Sequence, residues 1–188
     1  ATIGSFNCND LLPYLDYDLI AQNPKIICGY SDTTALLNAI YTKTGIQTYM
    51  GPSYSSFKMK EGQEYQSQSW LKAVTQDDYD LVPSKEWSSD PWYDPTQPRH
   101  FMPTEWKVYN AGKASSTIIG GNLSTFSLLR GTPYAPQVEN YVLFVEEAEG
   151  YPPEHFLREF AALLQAYPNP QAVIIGRFPK ECEMTEEI

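Results

Sequence analysis

Positive charge is scarce in this chain. Thirteen Lys and Arg stand against 23 Asp and Glu over 188 residues, a net charge of -10, and the pI is about 4.6. A phosphate-binding face needs clustered cations, and only Lys58 and Lys60 come near to clustering, so nucleic acid and anionic membranes are poor partners. No apolar run reaches the length of a membrane span, and no signal-peptide pattern is visible. Cysteine is sparse and odd in number: Cys8, Cys28 and Cys182 lie far apart, which argues against a disulfide framework and fits a reducing, cytoplasmic setting. With no C-x-x-C and no H-E-x-x-H, nothing recommends a metal site. What the chain does have is 14 tyrosines, four tryptophans and 15 prolines, the make-up of aromatic, proline-punctuated loops around a pocket.

The stretch from Lys25 to Leu37 organises the rest. Ile26 to Cys28 has the length and β-branched content of a buried strand. Gly29 breaks it, and Asp32-Thr33-Thr34 opens a helix predicted to run to Lys43, with Leu36, Leu37 and Ile40 on helical spacing. Strand, glycine turn, serine and helix start make up a nucleophile elbow: the turn exposes a hydroxyl, and the helix N-terminus offers unpaired amides to an oxyanion. Ser31 or Asp32 serves equally as an N-cap with no chemistry. The G-x-S-x-G form is incomplete, since Thr33 stands where the second glycine belongs.

Before this stretch, a turn-rich loop from Gly4 to Asp10 leads into a short predicted helix from Leu11 to Leu15, with Asn9 or Asp10 as its cap. After it, Gly45 suits a helix C-terminus and Ile46 to Met50 reads as the next strand, the α/β spacing. An amphipathic helix is predicted around Gln63 to Val74, with Tyr65, Trp70, Leu71 and Val74 facing inward. From Val82 to Pro103 the composition turns to Ser, Pro and Trp, a long loop that reads as a lid or binding loop or else as a linker.

Trp106 to Tyr109 and Ser116 to Ile119 read as strands around a turn at Gly112-Lys113-Ala114. Gly120-Gly121-Asn122 then opens a helix from Leu123 to Leu129; such a glycine pair either cradles phosphate or permits close backbone packing. Asn122-Leu123-Ser124 also matches a glycosylation sequon, which means little in a chain of cytoplasmic character. Tyr141 to Val145 is the clearest strand, and it ends in Glu146-Glu147-Ala148-Glu149. Alternation along a strand turns Glu146 and Glu147 opposite ways, one toward a cleft and the other toward solvent, although a fully solvated strand end is the plainer reading. Pro152 to Gln165 is a helix with Phe156, Phe160, Leu163 and Leu164 inward, and Ala172 to Ile175 is the last strand.

Several of these segments together resemble the LD-carboxypeptidase family of serine peptidases. They are Gly4, Asn9-Asp10-Leu11-Leu12-Pro13-Tyr14-Leu15-Asp16-Tyr17, Asn23-Pro24-Lys25 and Gly29-Tyr30-Ser31-Asp32-Thr33-Thr34-Ala35-Leu36. Gly120-Gly121-Asn122-Leu123, Gly131-Thr132, Leu143-Phe144-Val145-Glu146-Glu147 and Ile175-Gly176-Arg177-Phe178 continue the series in order. The aromatic insertion from Trp87 to Trp106 is more similar to the microcin C self-immunity branch than to the short muramoyltetrapeptide carboxypeptidases.

The resemblance implies an α/β fold: a Rossmann-like N-terminal part carrying the elbow and a β-rich α/β C-terminal part, both incomplete in this chain. It divides the chain into 1–56, the end of the nucleophile domain; 57–105, a helix and the aromatic loop; and 106–188, an incomplete domain carrying a triad glutamate. It implies a Ser-Glu-His triad with Ser31 as nucleophile and Glu146 as the acid that orients the histidine. Asp32 and Gly4 would supply the oxyanion hole, and Trp92 or else Trp87 would contact the nucleotide end of a substrate. The implied reaction is hydrolysis of an amide next to a D-amino acid in a peptidoglycan peptide, or of an aminoacyl-nucleotide. It needs no cofactor and takes place in the cytoplasm, in a homodimer.

Two departures from the family pattern stand out. Gly4-Ser5-Phe6 replaces the usual Gly-Gly, and Ser116 stands where glycine is common. The family histidine follows the Ile-Gly-x-Phe strand at a distance, and neither His100 nor His155 occupies that place. The opening Ala1-Thr2-Ile3 and the ending at Ile188 read as the middle of a longer enzyme. The competing reading is a binding module that keeps the pocket without hydrolysis.

Overall fold

The computed structural model describes residues 4–94, 96–148 and 150–185. The Ala1–Ile3 opening, Pro95, Glu149 and residues 186–188 lie outside the described residues. The fold is α/β with parallel sheets. Helices α1 (Cys8–Leu11) and α2 (Tyr17–Gln22) precede strand β1 (Cys28–Gly29), which pairs in parallel with β2 (Tyr49–Met50) across helix α3 (Thr34–Thr44). Helix α4 (Gln63–Thr75) follows, then a short antiparallel ladder of β3 (Glu86–Trp87) and β4 (Met102–Pro103). A three-stranded parallel sheet completes the chain: β5 (Thr117–Asn122), β6 (Tyr141–Glu146) and β7 (Ala172–Ile175), with helices α5 (Leu123–Ser127) and α6 (Pro153–Ala166) in the connections.

β6 is the middle strand, between β5 and β7. A parallel strand covered by helices buries both faces, so an unbroken Tyr-Val-Leu-Phe-Val run suits it. Leu143 and Val145 are fully buried, packed with Leu123 and Phe126 of α5, Phe156 and Leu163 of α6 and Ala35 and Ala39 of α3. α3 ends where it should, at Gly45 with φ 72.

Several sequence expectations change. The first helix begins at Cys8 and gives way to a 3-10 turn over Leu12–Tyr14; neither Asn9 nor Asp10 caps it, since both lie inside. Trp106 to Tyr109 forms no strand; Trp106 and Tyr109 are 62% and 82% exposed and have no ladder to join. Gly120 and Gly121 lie within β5, and α5 is shorter than expected. α4 buries none of its residues: Tyr65 and Leu71 are exposed, while Trp70 and Val74 are half-buried. The aromatic loop is tied at its base by the β3–β4 pair, Glu86 opposite Pro103 and Trp87 opposite Met102.

Candidate active site

The turn after β1 is built by close approach. Ser31 has φ 57, in the left-handed region that a side chain enters only at a cost of about 1 kcal/mol. Ser31–Thr33 is a 3-10 turn that runs directly into α3. A Cβ on Gly29 would come within 2.7 Å of Thr33 Cγ2, and one on Gly4 within 2.9 Å of Ser31 Cβ and 3.0 Å of its Oγ. Glycine is therefore required at the start of the elbow, and Gly4 lies directly against the serine side chain. The N-cap alternative is not what forms: Ser31 and Asp32 give no side-chain cap to α3.

Asp32 is buried, and its carboxylate accepts the Cys8 N–H at 2.8 Å. That bond anchors the loop carrying Gly4 to the elbow. Burial, with the Asp32 carboxylate beside it, pushes the Cys8 thiol up to about 12, so Cys8 stays protonated and unreactive at neutral pH.

The end of β6 is held by hydrogen bonds instead. Glu146 pairs in register with Asn122 of β5. A Cβ on Gly176 would lie 2.7 Å from Glu146 Cβ, so the chain after β7 passes directly against the glutamate. Of the two glutamates, Glu146 is half-buried and Glu147 does not meet solvent. Glu147 is 1% exposed and accepts from Asn122 Nδ2 (2.8 Å), Ser124 Oγ (2.6 Å), Ser124 N (3.2 Å) and Ala148 N (3.0 Å). The N-terminal amides of α5 need an acceptor, and a buried carboxylate survives only when so paired. Glu147 is thus a structural anchor.

Two polar contacts that residue patterns did not single out join α3 to β5. Thr34 Oγ1 accepts the Asn122 N–H at 3.0 Å, and Asn38 Nδ2 donates to the Gly120 carbonyl at 2.8 Å. Thr34 and Asn38 are four apart on α3, one helical face, which was the available signal. A Cβ on Gly121 would come 2.6 Å from Thr34 Oγ1, so close packing, not a phosphate cradle, explains the glycine pair. Asn122 itself is buried and caps α5 by accepting from Thr125 N.

Ser31, Gly4 and Asp32 therefore meet at one turn, and Glu146 stands beside Asn122, which is bonded to that turn's helix. Trp87 and Trp92 sit elsewhere, on a cleft of about 1800 Å³ between α3, β2, α4 and the aromatic loop, which neither Ser31 nor Glu146 lines. The described histidines have other partners: His100 Nδ1 is 3.1 Å from Asp90 Oδ2, and His155 Nε2 is 3.1 Å from Ser124 Oγ. Among the described residues no group of three or more His, Cys, Asp or Glu is placed to hold a metal ion.

Comparison with known proteins bears on the family and the fold. A family model described as the LD-carboxypeptidase N-terminal domain matches residues 1–51, and the corresponding C-terminal domain matches residues 115–188. The chain is 44% identical to "Putative carboxypeptidase YocD" of Bacillus subtilis (strain 168), over 100% of this chain and 59% of that protein. The solved structure of an MccF-like protein from Bacillus anthracis str. Ames superposes with a TM-score of 0.93 at 44% identity, covering 99% of this chain and 59% of that one. Microcin C7 self-immunity protein MccF in complex with aspartyl sulfamoyl adenosine superposes with a TM-score of 0.88 at 34% identity, covering 98% of this chain and 59% of that one. The chain thus spans about 59% of the length of these relatives.

Proposed function

This chain belongs to the LD-carboxypeptidase family, and from that premise we propose that it is the nucleophile- and acid-bearing portion of a serine hydrolase. Ser31 Oγ attacks the carbonyl carbon of an amide, and its proton passes to a histidine supplied from beyond this chain. The backbone amides of Asp32 and Gly4 stabilise the oxyanion, and Glu146 orients the histidine and fixes its tautomer. The amide breaks as its nitrogen takes the histidine's proton, leaving an acyl-serine that water releases with the same base. The substrate is an amide next to a D-amino acid or an aminoacyl-nucleotide; the complex of MccF with aspartyl sulfamoyl adenosine favours the second. Trp92 and Trp87 would receive the nucleotide end, in a cytoplasmic homodimer whose nucleophile, aromatic and acid regions divide near residues 56 and 105.

The observation that carries this reading is Ser31 at φ 57 between a parallel strand and a helix, with Gly4 against its side chain. Backbone strain held at a serine between a strand and a helix supports a functional role for it. The test is mass spectrometry of the protein after a fluorophosphonate probe. A single adduct mapping to Ser31, lost in Ser31→Ala, is expected; an unlabelled Ser31 in a protein that contains the downstream histidine would sink the hydrolase reading and leave the non-catalytic binding module.

A further inference from the structure

The chain leaves β7 at a fixed point. Gly176 donates its N–H to the Val145 carbonyl at 2.7 Å, and its lack of a side chain lets it pass against Glu146. Phe178 then packs edge-on against Phe156, ring centroids 4.8 Å apart, and Cys182 is fully buried, its thiol donating to the Ala148 carbonyl at 3.1 Å. Between these anchors two cations reach across to the aromatic loop. The Arg177 guanidinium lies 4.3 Å from the centroid of the Trp87 ring. Lys180 Nζ is 2.9 Å from Asp90 Oδ1, while Asp90 Oδ2 accepts the His100 N–H at 2.6 Å, which closes the loop on itself. Trp87 lines the large cleft and Arg177 does not, so the cation backs the ring and leaves the rest of it to the cleft. Trp92 is placed differently: its ring contact is Tyr93, edge-on at 5.9 Å, from its own loop.

We propose that Arg177 is a positioning residue: launched from the point where the chain touches Glu146, it holds Trp87 as a fixed wall of the cleft and so sets a preference for amides whose far end is a flat aromatic group. A cation over an indole face restrains the ring without filling the space on its other side. A preformed wall spares a ligand the cost of ordering it, and that saving appears in binding before it appears in chemistry. The substrate part of this inference rests on the hydrolase reading; the contact between Arg177 and Trp87 does not.

The test uses Arg177→Met, which keeps bulk and drops charge, with Arg177→Lys as the partial variant, in protein labelled with 5-fluorotryptophan. The Trp87 fluorine resonance, assigned with Trp87→Phe, should shift in Arg177→Met. KM should rise about three- to five-fold more for an aspartyl amide carrying an adenosine tail than for the same amide without one, with Arg177→Lys between. An unmoved Trp87 resonance, or an equal change in KM for both amides, overturns the proposal. The KM comparison uses the longer protein that contains the downstream histidine; if that protein hydrolyses neither amide, the hydrolase reading falls by itself and a titration with adenosine monophosphate decides this one. A Kd weakened about three- to five-fold in Arg177→Met supports it; an equal Kd, or no binding by the parent, overturns it.

Discussion

The turn after β1 and the last residue of β6 each place a proposed catalytic group at the carboxyl end of a parallel strand, and the two are held by opposite means. At Ser31 the backbone carries the burden: a left-handed φ, with Gly4 against the side chain and Gly29 against Thr33 of the same turn. At Glu146 the neighbours carry it: the adjacent Glu147 takes four hydrogen bonds and ties the strand end to α5. A nucleophile must be exposed and therefore has few partners to hold it, so strain replaces contacts. An orienting acid works from within the structure, where a polar network is available.

The largest effect that sharpens this contrast is on activity. In the hydrolase reading, Ser31→Ala lowers kcat by about 10³-fold or more while leaving Tm within a degree or two, measured by turnover and calorimetry. Glu147→Ala should act the other way round, on stability first: stranding the donors of Asn122 and Ser124 costs about 3 kcal/mol in a denaturant titration. A cost below about 1 kcal/mol would mean that the network does not hold this turn. Ser31→Gly relieves the backbone strain and should raise stability by about 1 kcal/mol while abolishing acylation; a loss of stability would break the claim that the elbow is strained.

The smallest effect concerns the aromatic loop. Hydrogen bonding from the His100 N–H and then from Lys180 holds the Asp90 carboxyl below its ordinary 3.8, and the bond to Asp90 holds Lys180 above its ordinary 10.5. The Asp90 contribution is therefore complete above 3.8 and drains as pH falls through its lowered value, while that of Lys180 is complete below 10.5 and drains as pH rises through its raised value. Limited proteolysis of residues 82–103 should accelerate in acid, and Asp90→Asn should show the faster cleavage already at neutral pH. Equal cleavage of the two proteins at neutral pH would remove the clasp as a restraint.

The elements that residue pattern made legible are those whose pattern reflects burial. β6 and α6 were readable because an unbroken apolar run and a helical stripe each report a face in the core. The Trp106–Tyr109 run has the composition of a strand and no surface to pair with, so propensity alone misleads there. Pairing of Glu86 with Pro103 across the aromatic loop left no local mark, and neither did the solvent-free environment of Glu147, because alternation says which way a side chain points and not what lies there.

Sequence by itself determined the family, the α/β class and the residues proposed for chemistry at Ser31 and Glu146, because glycine turns, strand composition and motif order are local properties. Only the tertiary structure decided that Gly4 presses on Ser31, that Thr34 and Asn38 join α3 to β5, that Glu147 is an anchor and that Arg177 backs Trp87. These are contacts between residues far apart along the chain, and which of them form depends on how the strands and helices pack.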